Sequence, residues 1–406
     1  MTLSTFLTEQ KNAHMEHLED MIFNDGVDGA RLAINSIQNL RDMLAGTSKR
    51  SVNVTVKWDG APAIFAGVDP ADGKFFVAKK GVFNANPQLY KTEADINKYL
   101  SGDLASKFKI ALKEFSKLGI TKGMYQGDLM FTKGDVKATT ISGEKYFTFQ
   151  PNTIVYAVPV DSVLGKQIKN SNIGVVWHTT YTGRTLKDMK ASFGKGIINK
   201  MKKSNKVWMD DATYRDVSGN ATFTQKETEQ VTSVLSRAGK VFNKVDSALL
   251  KTIRDDEELR QKIKTYNNTY VRAGTPFPSP RKHTAGLYDY INNWYDNEIE
   301  KKKTEKGKAT WKAKRDSIMS KVFSKSTELT TIFELMNLLV LAKSMVIYKL
   351  NRASALGTFI RTRKGYHVTN QEGFVAIDRL GKAVKIVDRL EFSYNNFSPD
   401  VLKGWQ

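Results

Sequence analysis

The sequence contains no cysteine. Disulfides, thiolate metal sites and cysteine nucleophiles are therefore excluded, and the composition suits a reducing compartment. It also lacks H-E-x-x-H, G-x-S-x-G and G-x-x-x-x-G-K-[ST] patterns, which argues against zinc-peptidase, α/β-hydrolase and P-loop chemistry. The opening stretch, MTLSTFLTEQKNAHMEHLED, has no charged-then-apolar order of a secretory signal. Long uninterrupted apolar runs are missing too. The stretch from Ile332 to Leu350 is broken by Glu334, Asn337, Lys343 and Lys349, and is expected to form a buried helix instead of a membrane span. A cytoplasmic protein with no membrane partner is expected (in the host cytoplasm, if the chain is viral).

Acidic residues are in short supply. Against 63 Lys+Arg stand 42 Asp+Glu, a net charge of +21 spread along 406 residues. Such a surplus favours a polyanionic partner, nucleic acid first and an anionic membrane surface second. The length allows one large domain or two ordinary ones.

Periodicity divides the chain. Residues 5–47 read as helical, with Ala30, Leu32, Ala33, Ile37, Leu40 and Leu44 at three and four spacing and Gly46 as the stop. From 51 to 82, Val52, Val54 and Val56 alternate with polar residues and further short apolar runs follow between turns, the pattern of strands. A helix is expected over 93–118, with Leu104, Phe108, Leu112 and Phe115 on one face. Strands are expected at 123–131, 145–150, 153–160 and 173–181. Beyond about 185, lysine-rich and helical segments alternate, including 225–247 and 284–305, around a proline-rich loop at 275–280. Strands return at 365–368, 374–378 and 383–387. The expected fold is α+β: an antiparallel, β-rich core from 1–190 and 356–406, split by a basic, mostly helical insertion over 191–355.

Lys57-Trp58-Asp59-Gly60 falls where an alternating strand meets a turn, a place that holds a side chain rigidly with its tip exposed. A lysine nucleophile needs that placement and must lose its proton before attack; nearby cations would lower its pKa. The alternative is a plain hairpin turn using Asp-Gly. His178, within Val175-Val-Trp-His-Thr-Thr-Tyr181, is read as a structural strand histidine.

K-x-D-G is the first motif of the superfamily of covalent nucleotidyltransferases, which includes ATP-dependent DNA ligases, RNA ligases and mRNA capping enzymes. Further segments resemble that superfamily in the expected order. Phe76 to Gly81 resembles the strand-borne basic pair, and Tyr125-Gln-Gly-Asp-Leu129 resembles the Gly-Glu-Leu strand with Asp128 for glutamate. Thr153 to Val158 looks like the aromatic-bearing strand, Glu372-Gly-Phe-Val375 matches Glu-Gly-x-Val, and Ala383 to Val387 is similar to the final lysine-bearing strand. The resemblance implies ATP and Mg²⁺ as cofactors and Lys57 as the catalytic nucleophile. It implies nucleotide-binding roles for Asp59, Gly60, Lys80, Asp128, Tyr156 (stacking on the purine), Glu372, Lys382 and Lys385, with Asp128 and Glu372 able to hold the metal. Ala61-Pro62, Ala383 and the shorter Asp128 depart from the family pattern.

The tail from Arg389 to Gln406 is too short for the OB domain that DNA ligases and capping enzymes place after the last motif, so the chain looks closest to phage-type RNA ligases. The implied activity is ATP-dependent sealing of nucleic-acid ends. The rival readings are a DNA ligase with an unusual insertion and a catalytically inactive nucleic-acid-binding protein of the same fold. In the insertion, basic clusters at Lys202 and Lys203, at Lys301, Lys302 and Lys303, and at Lys312, Lys314 and Arg315 lie near Trp208, Trp294 and Trp311. Such interleaving suits phosphate neutralisation with base stacking.

Overall fold

The computed structural model describes residues 16–47, 53–193, 196–213, 222–353, 357–377 and 383–404. Helix α1 (Met21–Leu44) buries Ala30, Ala33, Ile37, Leu40 and Leu44 on one stripe, as their spacing predicts. Gly46 just beyond it has φ 69°, the left-handed conformation that commonly closes a helix. The residues expected to extend this helical region toward position 5 lie outside the described residues.

Three sheets follow, each dominated by antiparallel pairing. The first has the order β1 (Asn53–Lys57), β13 (Gly373–Ile377), β14 (Ala383–Ile386). The second runs β10 (Val207–Asp211), β8 (Ile173–Thr182), β4 (Met124–Thr132), β2 (Ala63–Val68), β3 (Phe75–Ala78), with β9 (Lys190–Phe193) also paired to β8. The third runs β12 (Gly365–Val368), β11 (Gly357–Thr362), β7 (Ile154–Pro159), β6 (Glu144–Phe149), β5 (Lys137–Ile141). Here the sequence reading needs correction. β9 and β10 fall in the stretch expected to be helical insertion, yet β10 pairs in parallel with β8 from Val207↔Ile173 to Asp211↔Trp177. The sheet therefore continues past residue 190, through a segment whose high lysine content masks its strands.

The helix expected over 93–118 is two helices, α2 (Glu93–Tyr99) and α3 (Gly102–Phe115), because Leu100 adopts extended backbone between them. Ile96, Phe108, Ala111 and Phe115 from this pair pack with Ile64, Ala66, Leu129, Val175 and Trp177 on one face of the second sheet. A short helix, α4 (Val163–Asn170), follows β7.

A second body is helical. It contains α5 (Gln225–Phe242), opened by a Thr224/Glu227 capping box, α6 (Ser247–Asp255), α7 (Glu257–Arg272), α8 (Pro280–Glu300), α9 (Glu305–Phe323) and α10 (Ser326–Leu350). By length and composition α10 is apolar enough to cross a membrane. In the fold its Leu329, Phe333, Met336, Leu339, Val346 and Leu350 are buried in the same core as α1, α5 and α8. That core also takes Val54, Phe374, Ala376, Val384 and Ile386. Strand alternation explains this: those residues point to the helices, and their neighbours Thr55, Lys57, Val375, Ile377 and Lys385 point the other way. The first sheet thus rests on the helical body and presents its far face to the second sheet.

A buried ionic cluster ties these parts together. Glu19, 1% exposed, accepts from Lys343 Nζ of α10 at 2.7 Å and from Arg389 at 3.3 Å, and Arg389 also meets Asp20 at 3.3 Å. Burial pushes the Glu19 carboxyl up, but the Lys343 and Arg389 cations outweigh it and hold its pKa well below the usual range. Removing one partner strands a charge away from water. Lys343→Met is expected to destabilise the protein by about 3–5 kcal/mol in urea unfolding, and the double change with Glu19→Gln should recover a large part of that loss.

Candidate active site

The face of the first sheet turned away from the helices looks across a cleft of about 680 Å³ at the second sheet. Alternation supplies its lining from both sides. On the second sheet, Ala63 and Phe65 of β2, Gln126 and Asp128 of β4, and Val176 and His178 of β8 face the cleft, while Ile64, Leu129, Val175 and Trp177 face α2 and α3.

Lys57 ends β1 directly opposite Gly373, the first residue of β13. That register places Glu372 at its tip, and Lys57 Nζ donates a hydrogen bond to Glu372 Oε1. Gly373 has φ 151°, and a Cβ there would lie 2.6 Å from the Ile386 carbonyl oxygen, so no other residue fits this corner without strain. Lys385, opposite Val375 on β14, faces the same cleft, as does Lys80 from the turn after β3. Asp128 enters from the other sheet and has His178 Nε2 3.8 Å from its Oδ2. His178 Nδ1 lies 2.7 Å from Thr179 Oγ1. Lys57, Lys80, Asp128, Glu372 and Lys385, all expected at one site from motif order, therefore do converge on one cleft.

The electrostatics differ from expectation. Burial works to lower the pKa of Lys57, but the carboxylates of Glu372 and Asp128 outweigh it and the net shift is upward. Lys57 is thus held as an ammonium, not the neutral amine that surrounding cations would favour. Burial raises the Glu372 carboxyl to about 7 against the opposing pull of Lys57. Burial also raises Asp128, with His178 and Lys57 opposing, and lowers His178, with Asp128 opposing. Burial lowers Lys385, and the Lys57 cation lowers it further.

Three residues expected to touch nucleotide do not line the cleft. Asp59, 3% exposed, turns inward, where its carboxylate accepts from Asn152 Nδ2 at 2.8 Å and from the backbone N–H groups of Thr153 and Ile154, both at 2.7 Å. It anchors the turn after Lys57 to the third sheet. Gly60 is a packing glycine: a Cβ would come 2.5 Å from Asp128 Cβ. Tyr156, 2% exposed, lies behind the cleft, stacked on Phe149, and its hydroxyl accepts the Asp59 backbone N–H at 2.8 Å. A base cannot stack on a ring buried that way. The rings that do line the cleft are Trp58, Phe65, Tyr181 and Phe193. Lys382 lies outside the described residues.

The expected nucleic-acid contacts of the helical body sit far differently from a stacking platform. Trp311 is covered by Lys302 Nζ at 4.2 Å and Lys314 Nζ at 5.2 Å, and Trp294 by Lys262 Nζ at 3.4 Å. Lys314 is paired with Glu258, Arg315 with Asp296 and Asp316, and Lys301 with Glu298. Cation–π contacts and ion pairs thus occupy much of this surface. Lys203, Lys303 and Lys312 are exposed, as is Lys202, which follows a short turn beside α3. Trp208 is 7% exposed and belongs to the β-rich half, 6.1 Å from Trp58.

Comparison with known proteins adds a family without a function. A family model covering residues 12–400 matches the chain, under the description "family of unknown function (DUF6267)". The chain belongs to that family. No curated protein and no solved structure matches it. The cleft of this DUF6267 member displays cations and carboxylates together with aromatic rings and side-chain amides. Sequence reading gave Gln126 and Tyr181 no role and took His178 as structural, yet all three line the cleft. The available signal was register, since all three lie on the strands that carry or flank Asp128, but the register is set by a bulge between Gln126 and Gly127 that no local pattern reveals.

Glu372 gives a pH signature. The native carboxyl holds its proton more tightly than the unfolded one, so its contribution is complete below about 4.5 and is lost as pH rises through about 7. Urea midpoints measured from pH 4.5 to 8 should show this decline in the wild type and a flatter profile in Glu372→Gln.

Proposed function

We propose that this protein is an ATP-dependent polynucleotide ligase, with RNA the favoured substrate, that works through a lysyl-AMP intermediate on Lys57. The observation that carries the reading is the convergence of Lys57, Glu372 and Lys385 from one sheet with Asp128 and Lys80 from the other on a single cleft. The five segments concerned are the ones whose order along the chain resembles the ligase superfamily.

In the proposed first step, Glu372 accepts a proton from the Lys57 ammonium, to which it is already hydrogen-bonded. The freed lone pair of Nζ attacks the α-phosphorus of ATP. An N–P bond forms, the bond from that phosphorus to the bridging oxygen breaks, and pyrophosphate leaves with the electron pair. The second ammonium proton passes to solvent. Lys385 and Lys80 offset the charge that builds on the phosphates. In the second step a 5′-phosphate oxygen displaces Lys57 from the AMP phosphorus, and in the third a 3′-hydroxyl displaces AMP and seals the strand.

Among the described residues no group of three or more histidines and carboxylates forms a metal cage. Asp128 and Glu372 nevertheless fit an ion carried mainly by the nucleotide's own phosphates, which is how Mg²⁺ is usually held in such sites. Mg²⁺ so bound would supply further neutralisation of phosphate charge.

Incubation with ATP and Mg²⁺ followed by intact-mass spectrometry tests the reading. A gain of one AMP is expected, abolished in Lys57→Ala and reduced at least 100-fold in rate in Glu372→Gln, as for loss of a proton acceptor ( gives about 10²–10⁴). No adduct with any nucleotide would leave the non-catalytic nucleic-acid-binding reading. Sealing assays on single-stranded RNA and nicked duplex DNA then separate the two ligase classes.

A further inference from the structure

The end of the cleft away from Lys57 has its own chemistry. Gln126 lies two residues before Asp128 on the same face of β4, so the two side chains stand about 7 Å apart along the strand. That is roughly the reach from a nucleoside's base to its 5′-phosphate. Gln126 is opposite Phe65 on β2 and Thr179 on β8, and all three line the cleft. The Tyr181 hydroxyl donates to Gln126 Oε1 at 2.7 Å. Tyr181 is in turn boxed in by Phe83 and Phe65, at ring separations of 5.0 and 6.1 Å. Burial pushes the Tyr181 phenol up to about 12, so it remains a donor throughout the neutral range.

This contact fixes which way the Gln126 amide points. One lone pair of Oε1 is taken by Tyr181, and the second remains to accept. The Nε2 hydrogens meet no protein acceptor among the described residues. The side chain thus offers one acceptor and one donor side by side, and turning the amide over would leave the Tyr181 hydroxyl hydrogen with no acceptor among the described residues. Adenine carries the complementary pair, the N6 amino donor next to the N7 acceptor, and a carboxamide reads that edge with two hydrogen bonds. Guanine carries two acceptors, O6 and N7, and would set O6 against Oε1.

We infer that Gln126, held by Tyr181, is a specificity-determining residue that selects adenine over guanine in the nucleotide taken by this cleft. The inference rests on the nucleotide-binding part of the proposed function and is independent of the covalent chemistry. The predicted preference is about tenfold or more, the scale of one good bidentate contact.

Isothermal titration of the full-length protein with ATP and with GTP, alongside the intact-mass assay, tests it. The wild type should bind ATP at least tenfold more tightly. Gln126→Glu, which cannot donate to N7, should lose that preference, and Tyr181→Phe, which frees the amide to turn, should bind ATP comparably but discriminate less. Thermal melts report folding; should Gln126→Glu fail to fold, Tyr181→Phe carries the test. Equal wild-type affinity for the two nucleotides, no binding of either, or a preference unchanged in the folded variants overturns the inference. Selective ATP binding without an adduct would instead sink the ligase reading and leave this one standing.

Discussion

The pairing of β1 with β13 is the constraint on which the cleft depends. It joins segments 315 positions apart at Lys57 and Glu372 and sets, through the opposition of Lys57 and Gly373, which carboxylate reaches the amine. Three short strands could not hold that register alone, because a small isolated sheet with one face wet is marginal. The helical body supplies the missing burial. Phe374, Ala376, Val384 and Ile386 sink into a core shared with α1, α5 and α10, and slippage by one residue would turn all four to the cleft. The helical body is therefore structural support for the site.

The cleft holds charges of both signs in a partly dry setting, and this decides its resting state. Lys57 is neutralised by Glu372, and Asp128 faces His178 as well as the Lys57 cation. A triphosphate entering such a site competes with Glu372 for Lys57 and finds Lys80 and Lys385 available. The resting ion pair thus keeps a buried carboxylate and a buried ammonium compatible with folding, at the cost of an amine that needs rearrangement before it can act.

Much of this was legible in the sequence because strands advertise their two faces. The alternation around Val54 and Val56, and the Gly373 required at a cramped corner, are local signals with local causes. Asp59 was misread for the opposite reason. Its partners, Asn152 to Ile154, are more than ninety positions away, so nothing near K-x-D-G distinguishes an anchoring aspartate from a ligand. Tyr156 shares that difficulty: an aromatic on an apolar strand points to one of two faces, and the pattern does not say which one is wet. β9 and β10 were hidden by composition, since the lysines in the stretch between them, such as Lys200, Lys202, Lys203 and Lys206, look like those of a solvated helix. The ionic cluster of Glu19, Lys343 and Arg389 was invisible altogether, because its members are assembled from three distant segments.

One feature of the topology bears on how the protein is made. The strand that completes the lysine's surroundings leaves the ribosome about 315 positions after β1. Until it does, the hydrophobic side of β1 and the groove it must fill on the helices have no partner, and Lys57 has no carboxylate at its tip. A chain that ends before β13 and β14 cannot assemble this cleft. Synthesis itself thus acts as a check: only a translation product that has passed these two strands brings the two halves of the site together.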